Sequence, residues 1–462
     1  MTIVWLLVCL AIIAAGIYAG KGISAKQWSG GDRSLGPVAV GCILAATQIG
    51  GMSIIGAAQN GYTLGISASW YSIANGLFLF LFALLANILR KNMPSETIPD
   101  YLEHRFSVHS GRIYTYAYLV MGFIYIPIQL KTIASVIQIV IPSFSNNVAI
   151  VVGLTMAALY TSVAGMKGAS IIGKITCFGT YILMAVFLCI SLKDFGGYSA
   201  LLDALPAEYG DWSNGYPVSK IISYMLGGCL SALVMQTFMQ AYLSAKDVKA
   251  ARKGSIIGYV LAAPISILAA LVGMMVFSVN KDLGDGATAF AWGIKNLTGT
   301  ALAGTILAFV TMIIIATVAA MILATGTLLG RVYRTQLAPQ ADEKQQLRFT
   351  RIATFVFAYM TLFAAFLIPS ASLTSMFLTL VYSCTVPASF SLICGLAWKR
   401  ANAKASIVSM ICGLLTGAAW QVFNLSYIME AVYAIAIVTF AVGIAVTLLT
   451  SKAPDPTAKE KI

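Results

Sequence analysis

Two lysines and two glycine pairs stand out in this chain because they interrupt runs that are otherwise apolar. Lys131 sits in Ile128-Gln129-Leu130-Lys131-Thr132, and Lys174 in Ile172-Gly173-Lys174-Ile175. A charge at membrane depth is costly, and it persists where it faces a protein interior or a wet passage and meets a partner. On a helix, Ile128, Lys131, Thr132 and Ser135 share one face, a polar strip suited to an anionic group. The plain alternative for Lys131 is pairing with carbonyls or lipid phosphate. Lys174 lies only six residues into its stretch, about 9 Å at 1.5 Å per residue, so its plain alternative is snorkelling to the surface. Gly50-Gly51 and Gly227-Gly228 fall midway along two apolar stretches. A spanning helix can give up backbone hydrogen bonds there only where protein or a lined cavity restores them. Breaks at matching places in two halves point to a midplane binding site, and the alternative is close packing at small residues.

The chemistry that is missing narrows the field. None of the 16 Asp and Glu residues lies deep in an apolar stretch, and neither do His104 and His109. The eight cysteines lie in or at the ends of apolar stretches without CxxC spacing and read as small hydrophobes. With no acid, histidine or metal-ligand cluster in the interior and no phosphate-cradling glycine loop, an enzyme is not expected. No cofactor is called for.

The elements that position these residues are membrane helices. The chain is 59% hydrophobic and 10% charged, with a mean hydropathy of +0.86, far from a soluble composition with about a quarter of residues charged. Apolar stretches long enough to cross about 30 Å of hydrocarbon run near 2–20, 36–61, 66–90, 112–142, 147–165, 169–192, 218–243, 254–280, 297–330, 349–369, 371–397, 404–424 and 427–450. That makes an all-α integral membrane protein of about thirteen transmembrane helices. The first stretch lacks a cleavage motif and reads as a true span. With the N-terminus outside, 23 of the 29 Lys and Arg fall in cytoplasmic segments, four in outer loops and two at membrane depth. This predicts an N-outside, C-inside chain in a bacterial-type inner membrane. The net charge of +13 is what that orientation requires, and nucleic acid is not an expected partner.

Spans two to six (36–192) and seven to eleven (218–397) form two sets of five. An odd number per set makes them run in opposite directions, an inverted repeat whose first and sixth core helices carry the glycine pairs. Residues 2–20 form a peripheral helix, 404–450 two more, and 451–462 a cytoplasmic tail.

From about Gly30 to Gly417 the chain resembles the sodium/solute symporter family. The likeness rests on Gly30-Gly31-Asp32-Arg33-Ser34-Leu35, on Gly61-Tyr62 through Ser69-Trp70, and on Ile98-Pro99-Asp100-Tyr101-Leu102 with Arg105-Phe106. Further pieces are Gln129-Leu130, Gln240 to Asp247 with Ala251-Arg252-Lys253-Gly254, and Pro387 followed by Gly395 to Asn402. The resemblance implies a ten-helix inverted-repeat core and alternating access around a central site. It also implies a sodium ion between carbonyls of the broken first core helix and hydroxyls on the eighth. The carbonyl half falls on Ala46 and Ile49. The other half falls on Ile313, Ala316 and Thr317, so one of two expected hydroxyls is absent. The acids that members place at the equivalents of Gln48 and Gly173 are missing too, and Lys174 stands beside the second. Na⁺ wants several oxygens, and each lost ligand must be made good.

A Na⁺ site at Ala46, Ile49 and Thr317 is therefore one expectation. The other is that the Lys174 ammonium takes the ion's place against those carbonyls, with proton coupling or exchange. The sialic-acid branch supplies a basic residue on the third core helix for a substrate carboxylate, a role that would fall to Lys131. Candidate solute-binding residues are Gln48, Gly50, Ser53, Ser72, Asn75, Gln129, Lys131, Gly227 and Gly228, able to hold a small polar solute, including a carboxylate. A secondary transporter is the expected function. A solute sensor would carry a signalling domain, and 451–462 is too short for one. Solute, coupling ion and oligomeric state stay open.

Overall fold

The computed structural model describes residues 1–30, 32–93, 97–367 and 373–450. Gly31, Glu96, the first residues of the expected 371–397 span and the 451–462 tail lie outside the described residues. Helices dominate, and the β-type pairing found among the described residues is the isolated Leu35–Ala245 bridge.

Among the described residues ten helices are long and apolar enough to cross a membrane, or eleven when Val218–Leu233 and Gln236–Leu243, bent by 60°, count as one span. The thirteen expected from sequence exceed this count because the expected 36–61 and 66–90 spans run together over Met52–Leu84 and Asn146–Leu159 is too short to count. Met52–Leu84 passes Gly65 at φ 81°, ψ −146°, and Asn146–Asp194 passes Gly165 at φ 53°, ψ −144°. Both conformations are open to glycine and costly for other residues. Pro37–Gln48, the first half of the broken first core helix, is by itself too short to span.

The core elements are labelled α1 (Pro37–Gln48), α2 (Ala57–Leu64), α3 (Trp70–Asn75), α4 (Ile98–Arg105), α5 (Val108–Val140), α6 (Asn146–Asp194), α7 (Val218–Leu233), α8 (Gln236–Leu243), α9 (Val248–Ala262), α10 (Ile265–Val279), α11 (Thr300–Val332) and α12 (Leu373–Thr385). Helix α1 packs on α9 and α2 on α10. Small residues set that seam: a Cβ on Gly61 would fall 2.4 Å from Ala270 O, and one on Gly273 2.1 Å from Ala58 O. In lipid, where apolar side chains gain little by leaving the solvent, such close backbone approach is a main source of helix association.

One expectation is corrected. The seventh span does not break at Gly227-Gly228, which lie inside continuous α7. It breaks seven residues later, at Val234-Met235. The pair serves packing instead: a Cβ on Gly228 would lie 2.3 Å from Asn75 O, and one on Gly227 2.3 Å from the Tyr382 ring.

Candidate functional site: two helix breaks and the cavity between them

The first break is built by backbone groups that helical geometry no longer pairs. After α1, Ile49 turns to φ −80°, ψ 72°, and Gly50 N donates back to Gln48 O at 2.9 Å. Gly51 N then has no helical acceptor and donates to Gln129 Oε1 at 2.9 Å. Gln129 is 2% exposed, and its side chain is also hydrogen-bonded to Tyr125. Ser53 Oγ donates to Gln48 O at 3.0 Å. The close approach needs glycine, since a Cβ on Gly51 would fall 2.1 Å from Thr132 Oγ1. Every polar group freed in a membrane interior costs several kcal/mol, and these contacts satisfy them.

The second break is restored by tyrosines. Tyr114 Oη donates to Val234 O at 2.5 Å, and Thr237 N donates to Tyr118 Oη at 3.1 Å. Gln236 Oε1 accepts from Ile98 N at 3.0 Å. None of these partners was anticipated from sequence. Nothing in their spacing on α5 ties them to a break more than a hundred residues away.

Between the breaks lies a small cavity of about 50 Å³, space for roughly three or four waters. Gln48, Gly50, Ser53, Asn75, Gln129 and Gly228 line it, as expected. Thr47, Tyr71, Tyr125, Ser231 and Tyr382 join them. Three of these were reachable by helical period: Tyr71 is one turn before Asn75, Tyr125 one turn before Gln129, and Ser231 one turn after Gly228. No lining residue is charged. Three candidates lie elsewhere: Ser72, Gly227 and Lys131. Ser72 is fully buried, with its hydroxyl against Ser266 Oγ in the α3–α10 packing, and Gly227 faces the Tyr382 ring.

A second cavity of about 1110 Å³ opens beyond the first, bordered by Lys131, Thr132, Ser135, Lys220, Asp285 and Glu430 among others. The polar strip expected around Lys131 therefore lines this vestibule and not the small cavity. Lys131 is 8% exposed. Met52, Leu378 and Tyr382 border both spaces, so they form the partition. Tyr382 is 5% exposed, and its hydroxyl has no hydrogen-bond partner among the described residues.

The residues expected around a cation do converge. Thr317 Oγ1 lies 2.8 Å from Ala46 O, 3.2 Å from Ile49 O and 3.4 Å from Ile313 O. Its one proton caps carbonyls that the first break leaves without helical donors. Ala316, 8% exposed, adds no oxygen. Lys174 is half-buried and makes no hydrogen bond to Ala46, Ile49 or Thr317 among the described residues. Instead it acts electrostatically on Cys42, one turn before Ala46. In this conformation Thr317, not the ammonium, holds the carbonyls together. The described residues contain no group of three or more His, Cys, Asp or Glu placed for a metal, and the oxygens around Thr317 are mainly carbonyls.

A bundle of apolar helices with two interrupted core helices around a midplane cavity defines the class of inverted-repeat secondary transporters. The chain belongs to the sodium:solute symporter family, whose model matches residues 29–413. Relatives include an uncharacterised symporter, YodF, of Bacillus subtilis (strain 168), 23% identical over 437 residues and covering 88% of this chain and 85% of the relative. The osmoregulated proline transporter OpuE of the same organism is 22% identical, covering 96% and 93%. The sodium/proline symporter of Escherichia coli (strain K12) is 23% identical, covering 93% and 89%. A solved structure of a Na⁺-coupled sialic acid symporter in a substrate-bound outward-open state superposes with a TM-score of 0.80 at 17% identity, covering 98% of each chain. A nucleobase-cation-symport-1 family transporter superposes with a TM-score of 0.63 at 11% identity. These likenesses establish the fold.

Proposed function

We propose that the chain carries a small polar solute by alternating access. The solute's uncharged part would sit among Gln48, Ser53, Asn75, Gln129 and Ser231, and an anionic end would meet Lys131 at the vestibule edge. The observation carrying this reading is the division of chemistry: the residues lining the inner cavity are neutral, polar and apolar side chains mixed, while the buried residue Lys131 borders the vestibule. The inner cavity is too small for most solutes as it stands, so entry would require the partition at Met52 and Tyr382 to move. On the charge pattern, the vestibule side would be the outer side, with the N-terminus outside and the C-terminus cytoplasmic.

Coupling would depart from ordinary sodium symport. One hydroxyl is absent at Ala316, acids are absent at Gln48 and Gly173, and a positive charge stands at Lys174, which would repel a nearby Na⁺. Proton coupling or exchange is then the first reading. Ordinary sodium symport is the second reading, favoured by the oxygens that gather around Thr317 and by relatives named as sodium symporters. Uptake into proteoliposomes separates the two. A rate unchanged when Na⁺ is replaced by choline supports the first, and a rate that collapses supports the second. A thermal-shift screen of metabolites with and without Na⁺ would identify the solute, since a ligand of the native state raises its apparent stability.

A further inference from the structure

On the side away from the vestibule, Asp100 and Glu103 stand three residues apart on α4, and both reach Arg331 in the last turn of α11. Arg331 Nε donates to Asp100 Oδ1 at 2.5 Å, and Nη2 lies 2.5 Å from Glu103 Oε2. The arginine is 3% exposed, while the two acid side chains are 20% and 23% exposed. Opening a clasp of this kind strands an enclosed charge, which makes separation costly. Its donors are not all used: among the described residues neither Nη1 nor Nη2 makes a geometrically sound hydrogen bond, and Glu103 is held as an ion pair.

The clasp ties several elements together. Asp100 Oδ2 accepts from the Thr97 hydroxyl at 2.5 Å, and Ile98 N, at the start of α4, donates to Gln236 of the second break. Arg105, at the end of α4, donates to Gly395 O at 3.0 Å and Trp398 O at 3.2 Å. Helix α4 thus bridges from the first half to three parts of the second. None of these residues borders the large cavity.

We propose that Arg331, Asp100 and Glu103 form an ionic clasp that holds this face closed and must part once in each transport cycle. Helix α11 links it to the Thr317 carbonyl site 14 residues earlier, about 21 Å at 1.5 Å per residue. The clasp rests on the alternating-access reading but not on any particular solute or ion.

Ala324, fully buried on α11, lies two turns before Arg331 on the same helix face and reports opening. The full chain, with its native cysteines replaced by alanine and carrying Ala324→Cys, is placed in membrane vesicles of either orientation and exposed to a membrane-impermeant maleimide. From the clasp face, labelling of the parent is slow. It rises at least about tenfold in Arg331→Gln and in the Asp100→Asn, Glu103→Gln double variant, as expected when a buried ion pair is lost, while labelling from the vestibule face stays slow. Exchanging the charges, Arg331→Asp with Asp100→Arg, restores slow labelling. Unchanged labelling in both variants overturns the clasp. So does labelling that rises from both faces together, because that marks general loosening. Solute uptake by the parent, measured on the same vesicles, tests the transport reading separately.

Discussion

Removing the Thr317 hydroxyl while keeping its shape, as in Thr317→Val, separates a cap from a cation ligand. In the structure one hydroxyl serves Ala46 O at 2.8 Å and Ile49 O at 3.2 Å, and Gly50 N has turned away to Gln48 O. Ala46 O therefore loses its donor. Leaving one buried carbonyl unpaired costs about 1–3 kcal/mol, roughly a 5- to 150-fold change in an equilibrium constant. If the hydroxyl acts as a cap, Thr317→Val lowers stability and slows uptake by the same factor in Na⁺ and in choline. The companion change Ala316→Ser restores the second hydroxyl. A ligand to a charged ion contributes about 1.5–3 kcal/mol, so this variant should gain Na⁺-dependent stabilisation that the parent lacks. The assay is thermal unfolding of purified protein in NaCl against choline chloride, paired with proteoliposome uptake. A parent already stabilised by Na⁺, with that stabilisation abolished in Thr317→Val, would refute the cap and restore sodium symport.

Lys131→Gln should weaken an anionic solute by about 1.5–3 kcal/mol, the worth of a charged hydrogen bond, and leave neutral analogues unchanged in a competition assay. Equal loss for both kinds would remove Lys131 from recognition. Gln129→Leu strands Gly51 N–H and should destabilise by about 1–3 kcal/mol, whereas Gln129→Glu keeps an acceptor, so thermal unfolding should rank glutamate above leucine. Tyr382→Phe deletes a hydroxyl with no partner among the described residues and should leave stability unchanged or slightly raised. Any weakening of solute binding measured by the same thermal-shift titration then reports contact with the solute. Gly228→Ala places a Cβ 2.3 Å from Asn75 O and should reduce the yield of folded protein in a size-exclusion assay.

Composition and period determined the solvent and the helices. Apolar stretches too poor in charge to face water can be satisfied only in lipid, and of the structures that close all their backbone hydrogen bonds there, helices and closed barrels, long unalternating apolar runs fit the helix. The first break was also legible, because Gly50-Gly51 interrupts an apolar stretch at its middle, while the close approach to Thr132 that requires glycine there came from the fold. The Ala46, Ile49, Ile313 and Thr317 cluster came from family resemblance, and the fold brought those residues together as that pattern implied. The second break was misplaced onto Gly227-Gly228 for a physical reason: glycine permits a break, but in a packed bundle it equally permits contact. Which role a glycine plays depends on what stands opposite, here Asn75 and Tyr382. The true break at Val234-Met235 carries no local signal, because it is sustained from outside by Tyr114, Tyr118 and α4. Tertiary structure alone decided that Lys131 borders the vestibule and not the inner cavity, that Ser72 turns to Ser266, and that Arg331 meets two acids more than two hundred residues away. Each of these depends on which helix faces come together, and a one-dimensional pattern holds the faces but not their pairing.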